Sequence, residues 1–214
     1  MHSLQEQTIK ELYEFALNVP GKKTWRITRL AMYRALNNAL ASYDSPELKC
    51  LAISKSENLA RDVLGLRTAE VVRADYPEHN MIDLKFSDAS FDFCISDQVL
   101  EHVAGDPFKA FSESARVIKS GGFVCHTTCL LIDIHGFPKD FWRFTPEALS
   151  LLAKNSGLIP QTIGAWGNRE IMSVMQSPLR FSQIPDDPKN PIYRLAMKNE
   201  ADWPIVVWII AQKP

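Results

Sequence analysis

The chain has 214 residues, of which 46% are hydrophobic and 23% charged, a composition that fits one globular domain with a sizeable core and excludes a disordered, collagen-like or coiled-coil chain. With 24 basic against 25 acidic residues the net charge is −1, which leaves no electrostatic footprint for bulk nucleic-acid binding. Cys50, Cys94, Cys125 and Cys129 form no Cys-x-x-Cys pair, and three of them sit in apolar runs, so they read as buried thiols rather than a zinc site. Met1-His2-Ser3-Leu4-Gln5-Glu6 lacks the charged-then-apolar order of a signal peptide. The most apolar segment, 203–211, is too short to span a bilayer, so a cytoplasmic location is expected.

In chain order, residues 4–18 carry Leu4, Ile9, Leu12, Phe15 and Ala16 in a helical stripe that Pro20-Gly21 breaks. A second helical stretch covers 24–42, and Asp44-Ser45-Pro46 marks a loop. Residues 1–45 thus read as an N-terminal helical cap on a main domain over 46–214, the whole forming one structural unit. Beyond the loop, short apolar runs alternate with amphipathic segments. Strands are expected at 49–53, at 69–74 ending on Asp75, as a short run at 81–84, and at 91–96, the last apolar enough to be buried on both faces. A helix is expected near 56–64. Another over 107–118 puts Phe108, Phe111, Ala115 and Ile118 on one face and ends at Gly121-Gly122. A fifth strand follows at 123–131. Thr145-Pro146-Glu147 has the order of a helix start: an N-cap, a proline in the first turn, then an acid near the positive end. That helix ends at Asn155-Ser156-Gly157, and strands follow at 158–166 and 205–211. Such alternation implies an α/β fold with a mainly parallel sheet and right-handed crossovers. The proline-rich segment 177–200 has little periodicity and reads as a lid or interaction arm.

Ligands of open parallel sheets bind beyond the carboxyl ends of the strands, at the switch in strand order. That rule singles out the positions after Ile53, at Asp75, around Asp83 and after Ile95. A carboxylate ending the second strand, Asp75, can accept hydrogen bonds from both hydroxyls of a ribose diol. The plainer alternative is a solvated loop carboxylate that opens the Tyr76-Pro77 turn. No Gly-x-Gly-x-x-Gly occurs, which argues against a nicotinamide-dependent dehydrogenase.

Three further runs go together. They are Asp83-Leu84-Lys85-Phe86-Ser87-Asp88-Ala89-Ser90-Phe91-Asp92, Ser96-Asp97-Gln98-Val99-Leu100-Glu101-His102-Val103, and Ala115-Arg116-Val117-Ile118-Lys119-Ser120-Gly121-Gly122. In this order they resemble class I S-adenosylmethionine-dependent methyltransferases of the type 11 kind, and the run from His135 to Glu147 resembles a bacterial branch of that family. The resemblance implies a Rossmann-like three-layer sandwich with seven strands, the last antiparallel. It also implies S-adenosyl-L-methionine as cofactor, with S-adenosyl-L-homocysteine as product, held by Ser54, Ser56, Asp75, Tyr76, Asp83, Leu84, Ser96, Asp97 and Gln98. The pattern departs after the first strand, where a glycine-rich turn and its preceding acid are replaced by Ala52, Ser54, Ser56 and Asn58.

Methyl transfer needs a general base only for a hydroxyl or protonated amine acceptor. His126, Asp133, His135 and Asp140 lie near the expected sheet edge; His135 is the first choice and Asp140 the second. Trp142 and Arg143 are candidates to bind an anionic or sugar-like acceptor, although Trp142 and Phe144 could equally pin the next helix. The expected function is methyl transfer to a small-molecule or saccharide acceptor, with no nucleic acid or membrane span involved. A homodimer through the N-terminal helices or the 177–200 arm is a further expectation. The alternative is a methyltransferase-like binding or assembly protein without catalysis.

Overall fold

The structure is a computed structural model that describes residues 4–136, 139–175 and 178–214. Its elements, in chain order, are α1 (Leu4–Leu17), β1 (Lys23–Arg26), α2 (Ile27–Ala35), β2 (Lys49–Ile53), β3 (Glu70–Ala74), β4 (Phe91–Asp97), α3 (Pro107–Val117) and β5 (Ile118–Cys129). They continue with α4 (Pro146–Asn155), β6 (Ile159–Trp166), α5 (Met172–Met175), β7 (Gln183–Pro185), α6 (Pro191–Met197) and β8 (Val206–Gln212). The chain divides into two compact units, one made of residues 1–35 and 166–205, the other of 36–165 and 206–214.

The larger unit holds a six-stranded sheet in the order β3-β2-β4-β5-β8-β6. β2 pairs in parallel with β3 and β4, β4 pairs in parallel with β5, and β8 runs antiparallel to β5. The expected Rossmann-like α/β architecture with an antiparallel last strand is therefore present, with six strands in this sheet rather than seven. Residues 81–84 are not the third strand; only an isolated bridge joins Asn80 and Asp83. The run is too short, and its Leu84 amide is diverted to the Glu113 carboxylate at 2.8 Å.

Apolar runs explain the sheet. β2, β4 and β8 are almost wholly buried, as strands covered on both faces must be. α3 lays Ala110, Phe111 and Ala115 onto Cys94, Val124 and Leu149 in one continuous core. Asp106 caps α3 by accepting the Phe108 N–H, and Thr145 caps α4 by accepting the Ala148 N–H at 3.1 Å. The four thiols are buried and free. α3 stops at Val117, and Gly121-Gly122 lies inside the long β5 rather than at a helix end. A Cβ on Gly122 would meet the Asp92 carbonyl oxygen at 2.7 Å, so the glycine serves strand packing.

Polar side chains secure the loops around this sheet. Arg116 donates to the Leu84 and Phe86 carbonyls at 2.8 Å each and to the carboxylates of Glu113 and Asp88. Asp44 accepts the N–H groups of Arg67, Thr68 and Ala69, which fixes the entry to β3. Those amides hold the Asp44 carboxyl below its usual range against the opposing effect of desolvation.

Gly164 on β6 lies under the Trp208 indole of β8. A Cβ there would come within 2.3 Å of the ring, so Gly164→Ala is expected to lower stability by about 1–3 kcal/mol, measured by urea unfolding.

The smaller unit pairs β1 antiparallel with β7. In it, Asn190 caps α6 and also donates to the Ala16 carbonyl at 2.8 Å. The stretch expected as a helix over 24–42 is thus a strand, β1, followed by the nine-residue α2. Most of 177–200 is built from a short turn, β7 and α6; Ser177 lies outside the described residues. The excursion between β6 and β8 closes on itself, with the Ile205 N–H donating to the Trp166 carbonyl at 2.8 Å.

Candidate active site

The order β3-β2-β4 means that the chain leaves β2 toward one edge and later returns on its other side. This is the switch point at which open α/β sheets form a crevice. A cleft of about 470 Å³ opens there, lined by Ile53 at the end of β2 and Ser54 after it, Tyr76 after β3, and Gln98 and Val99 after β4. His79, Asn80 and Met81 form another wall, and His102, Lys139 and Phe141 a further one.

The turn after β2 is tight without a glycine. Ser54 and Lys55 both adopt left-handed backbone, with φ of +52° and +63°. Holding each there costs on the order of 1 kcal/mol. Hydrogen bonds offset that cost: the Ser54 N–H donates to the Ala74 carbonyl at 3.0 Å, and the Lys55 N–H to Asp75 Oδ1 at 2.9 Å. Ser56 is 1% exposed; its hydroxyl donates to the Ile53 carbonyl and accepts the Asp97 N–H at 2.8 Å. Its side chain therefore braces the turn from beneath instead of facing the cleft.

Asp75 stands at the rim between these groups. Its Oδ2 also takes the Arg73 guanidinium at 2.6 Å. A carboxylate offers about four lone-pair directions, so two remain for a diol after these contacts.

Of the residues expected to hold a cofactor, Ser54, Tyr76 and Gln98 line the cleft, and Asp75 adjoins it. Asp83 instead projects outward and pairs with Lys85, which holds its carboxyl below the usual range. Leu84 is 3% exposed, and Arg116 and Glu113 take its backbone groups. The cleft wall is three residues earlier, at Asn80 and Met81. Sequence reading passed over them because it sought an acid, and Asn80 is an amide. Ser96 is fully buried on the core side, and Asp97 Oδ1 accepts the Thr127 hydroxyl at 2.6 Å.

The Ser96 hydroxyl lies 2.8 Å from His126 Nδ1, and His126 Nε2 lies 3.1 Å from Ser114 Oγ. Ser114 spends its own hydrogen on the Ala110 carbonyl. His126 must therefore donate from Nε2 and accept from Ser96 at Nδ1, which is the neutral imidazole. Burial pushes its pKa down to about 3. It is a core residue within the sheet and does not reach the cleft as a base.

The loop between β5 and α4 carries the other candidates. The Glu101 carbonyl accepts the N–H groups of Phe141 and Trp142 at 2.8 and 3.2 Å. Asp140, with a side chain 2% exposed, binds the Arg143 guanidinium through both oxygens and accepts the His135 N–H at 2.8 Å. The Arg143 hydrogen bonds, opposed by desolvation and aided by the His135 amide, hold its carboxyl at about 2. Asp140 is thus a weak base with a strong positioning role. Arg143 also donates to the carbonyls of Ile132, Asp133 and Trp142, so its donors hold the loop together. The Trp142 indole N–H donates to the Val103 carbonyl at 3.0 Å, and its ring lies 6.5 Å from that of Phe144. His135 reaches His102, with ring centroids 5.1 Å apart. Phe137 and Pro138 lie outside the described residues.

Residues 35–126, which include β2 to β4, α3 and most of β5, match the family described as methyltransferase domain. The match spans less than half of the chain, and that stretch is similar to a methyltransferase domain. An uncharacterized methyltransferase of Schizosaccharomyces pombe is 30% identical over 89 residues, covering 42% of this chain and 32% of that protein. The chain therefore spans about a third of the length of that relative. The geranyl diphosphate C-methyltransferase from Streptomyces coelicolor A3(2), solved with S-adenosyl-L-homocysteine, is similar at a TM-score of 0.54 and 15% identity, with 100% of each chain covered. The (4+2)-cyclase SpnF is similar at 0.53 and 16%, covering 98% of this chain and 97% of that one. At these identities the chain shares a fold with these neighbours, and one of them is a cyclase, so the reaction has to be argued from the site. Among the described residues no helix is long and apolar enough to cross a membrane.

Proposed function

We propose that the cleft binds S-adenosyl-L-methionine and that the chain transfers its methyl group to a small-molecule acceptor, a saccharide being one class. The observation that carries this reading is the cleft of about 470 Å³ at the strand switch, with a carboxylate at its rim and a left-handed turn beside it. Its volume falls in the ordinary range for small-ligand sites. The residues present fit the cofactor: Asp75 keeps lone pairs for the ribose hydroxyls, Tyr76 and Met81 offer apolar walls, and Ser54 and Gln98 flank the opposite side. Serines replace glycines without filling the cleft, since the Ser56 side chain is turned inward.

When bound, the cofactor supplies an electrophilic methyl group on a sulfonium with a good leaving group already in place. The chain's contribution is alignment and exclusion of water. The Glu101 carbonyl and the Asp140–Arg143 pair hold the loop that carries Lys139 and Phe141 at the cleft edge. Such positioning can supply several kcal/mol toward an in-line displacement. For a hydroxyl acceptor, His135 is the proposed base, because Asp140 carries too little basicity.

Calorimetric titration with S-adenosyl-L-homocysteine tests the reading. Micromolar binding is expected, weakened tenfold or more by Asp75→Ala, since a hydrogen bond to a charged group is worth about 1.5–3 kcal/mol. No heat and no thermal shift at millimolar ligand would leave a methyltransferase-like binding module instead.

A further inference from the structure

At the cleft edge His135 belongs to a side-chain cluster that can hold an ion, a role that excludes its acting as a base. The ligand-capable atoms of Glu101, His102 and His135 all lie within 4.8 Å of one another, and Glu101 is fully buried. Each of the three is oriented from behind. His102 Nδ1 is 2.7 Å from the Lys139 carbonyl, so that nitrogen carries the hydrogen and Nε2 keeps its lone pair. His135 Nδ1 is 3.0 Å from the Asp133 carbonyl and 3.3 Å from Asp140 Oδ2, which sets the same tautomer. The Thr128 hydroxyl donates to Glu101 Oε2 at 2.8 Å. Metal-binding histidines are held in this manner, with the second ring nitrogen donating to a carbonyl or carboxylate.

We propose that Glu101, His102 and His135 form a binding site for one divalent ion of the zinc class. Two imidazoles and one carboxylate suit zinc and its first-row neighbours, whereas magnesium and calcium prefer all-oxygen shells. Bonds of about 2.1 Å in a tetrahedral shell place ligand atoms about 3.4 Å apart, so the cluster contracts by roughly an ångström on binding. The histidine loop is already tied to the turn bearing Glu101 and His102 through the Phe141 and Trp142 amides. Softer ligands do not compete: all four thiols are buried, and burial pushes Cys94 up to about 12. Three protein ligands leave a fourth position, and His102 lines the cleft. Resting on the methyltransferase reading, the ion takes an acceptor bearing an oxygen donor, such as a hydroxyl or carboxylate.

The chelator-treated 214-residue chain is titrated with Co²⁺, followed by Zn²⁺ displacement and by metal analysis. The expected result is one ion per chain, with ligand-field absorption and no thiolate charge-transfer band. His135→Ala, in a partly exposed loop, is expected to weaken uptake at least tenfold, and His102→Ala combined with His135→Ala to abolish it, with folding checked by circular dichroism. No uptake by the native chain, or equal uptake by the folded double variant, overturns the site. S-adenosyl-L-homocysteine titration of the native chain runs in parallel. Ligand binding without ion uptake removes only the metal site, and ion uptake without ligand binding removes only the cofactor reading.

Discussion

Lowering the pH from about 6.5 to about 4 is expected to remove roughly 3 kcal/mol of stability through His126 alone. The folded imidazole titrates at about 3 because it is fully desolvated, whereas an unfolded histidine titrates near its model value of 6.5. The unfolded state therefore binds the proton first. The contribution is fully present above the unfolded pKa and is lost as pH falls toward the folded one, at about 1.4 kcal/mol per pH unit. Over the whole interval it approaches 5 kcal/mol, comparable with the total stability of a small domain. Urea unfolding of the native chain and of His126→Phe, at several pH values between these limits, measures it. The variant should be less stable at neutral pH, because the Ser96 hydroxyl loses its acceptor. Its pH slope should nonetheless be shallower by about one proton. Parallel slopes for the two proteins would mean that His126 does not titrate on unfolding.

The second large effect belongs to Arg143. Alanine there leaves the Asp140 carboxylate, 2% exposed, without its cation. Removing one partner of a buried pair costs roughly 3–5 kcal/mol, and since Arg143 is itself 25% exposed, about 3 kcal/mol is the expected loss. Three carbonyls of the same loop also lose their donor. Because Asp140 also holds the His135 amide, the loop should loosen at the cleft edge as well as destabilise the fold. Hydrogen exchange of the 131–136 and 139–143 amides should rise by well over tenfold, against little change in β2 and β4. Arg143→Lys restores the charge but not the fork, and should recover only part of the stability. Unchanged exchange in the alanine variant would assign the loop's order to other contacts.

The parallel core was legible because its strands are largely apolar and buried on both faces. Phe91–Asp97 and Lys49–Ile53 are of this kind, and the N-cap order Thr145-Pro146-Glu147 marked α4 directly. What escaped was structure specified by partners distant in sequence. β1 exists only through β7, some 160 residues away, and local propensity over 24–42 favours helix instead. Ser54, Tyr76 and Gln98, singled out by their places at strand ends, do line the cleft. Asn80 was not singled out, because the choice of Asp83 turned on charge while the chain's path turned on the Asn80–Asp83 bridge. Ser96, expected near the cofactor, is fully buried. Side chains alternate across a strand, and its hydroxyl faces His126 in the core.

The hydrogen bond between Ile205 and Trp166 gives the excursion 167–204 a closed neck. Nearly forty residues leave the sheet and return to the point of departure, so β6 and β8 are joined, for the sheet's purposes, as if by a short hairpin. The entropy of closing such a loop grows only logarithmically, by about 0.6 kcal/mol for each doubling in length. Residues beyond the neck can therefore be lengthened, shortened or exchanged with little effect on the strands that carry Gln98 and the Ser54 turn.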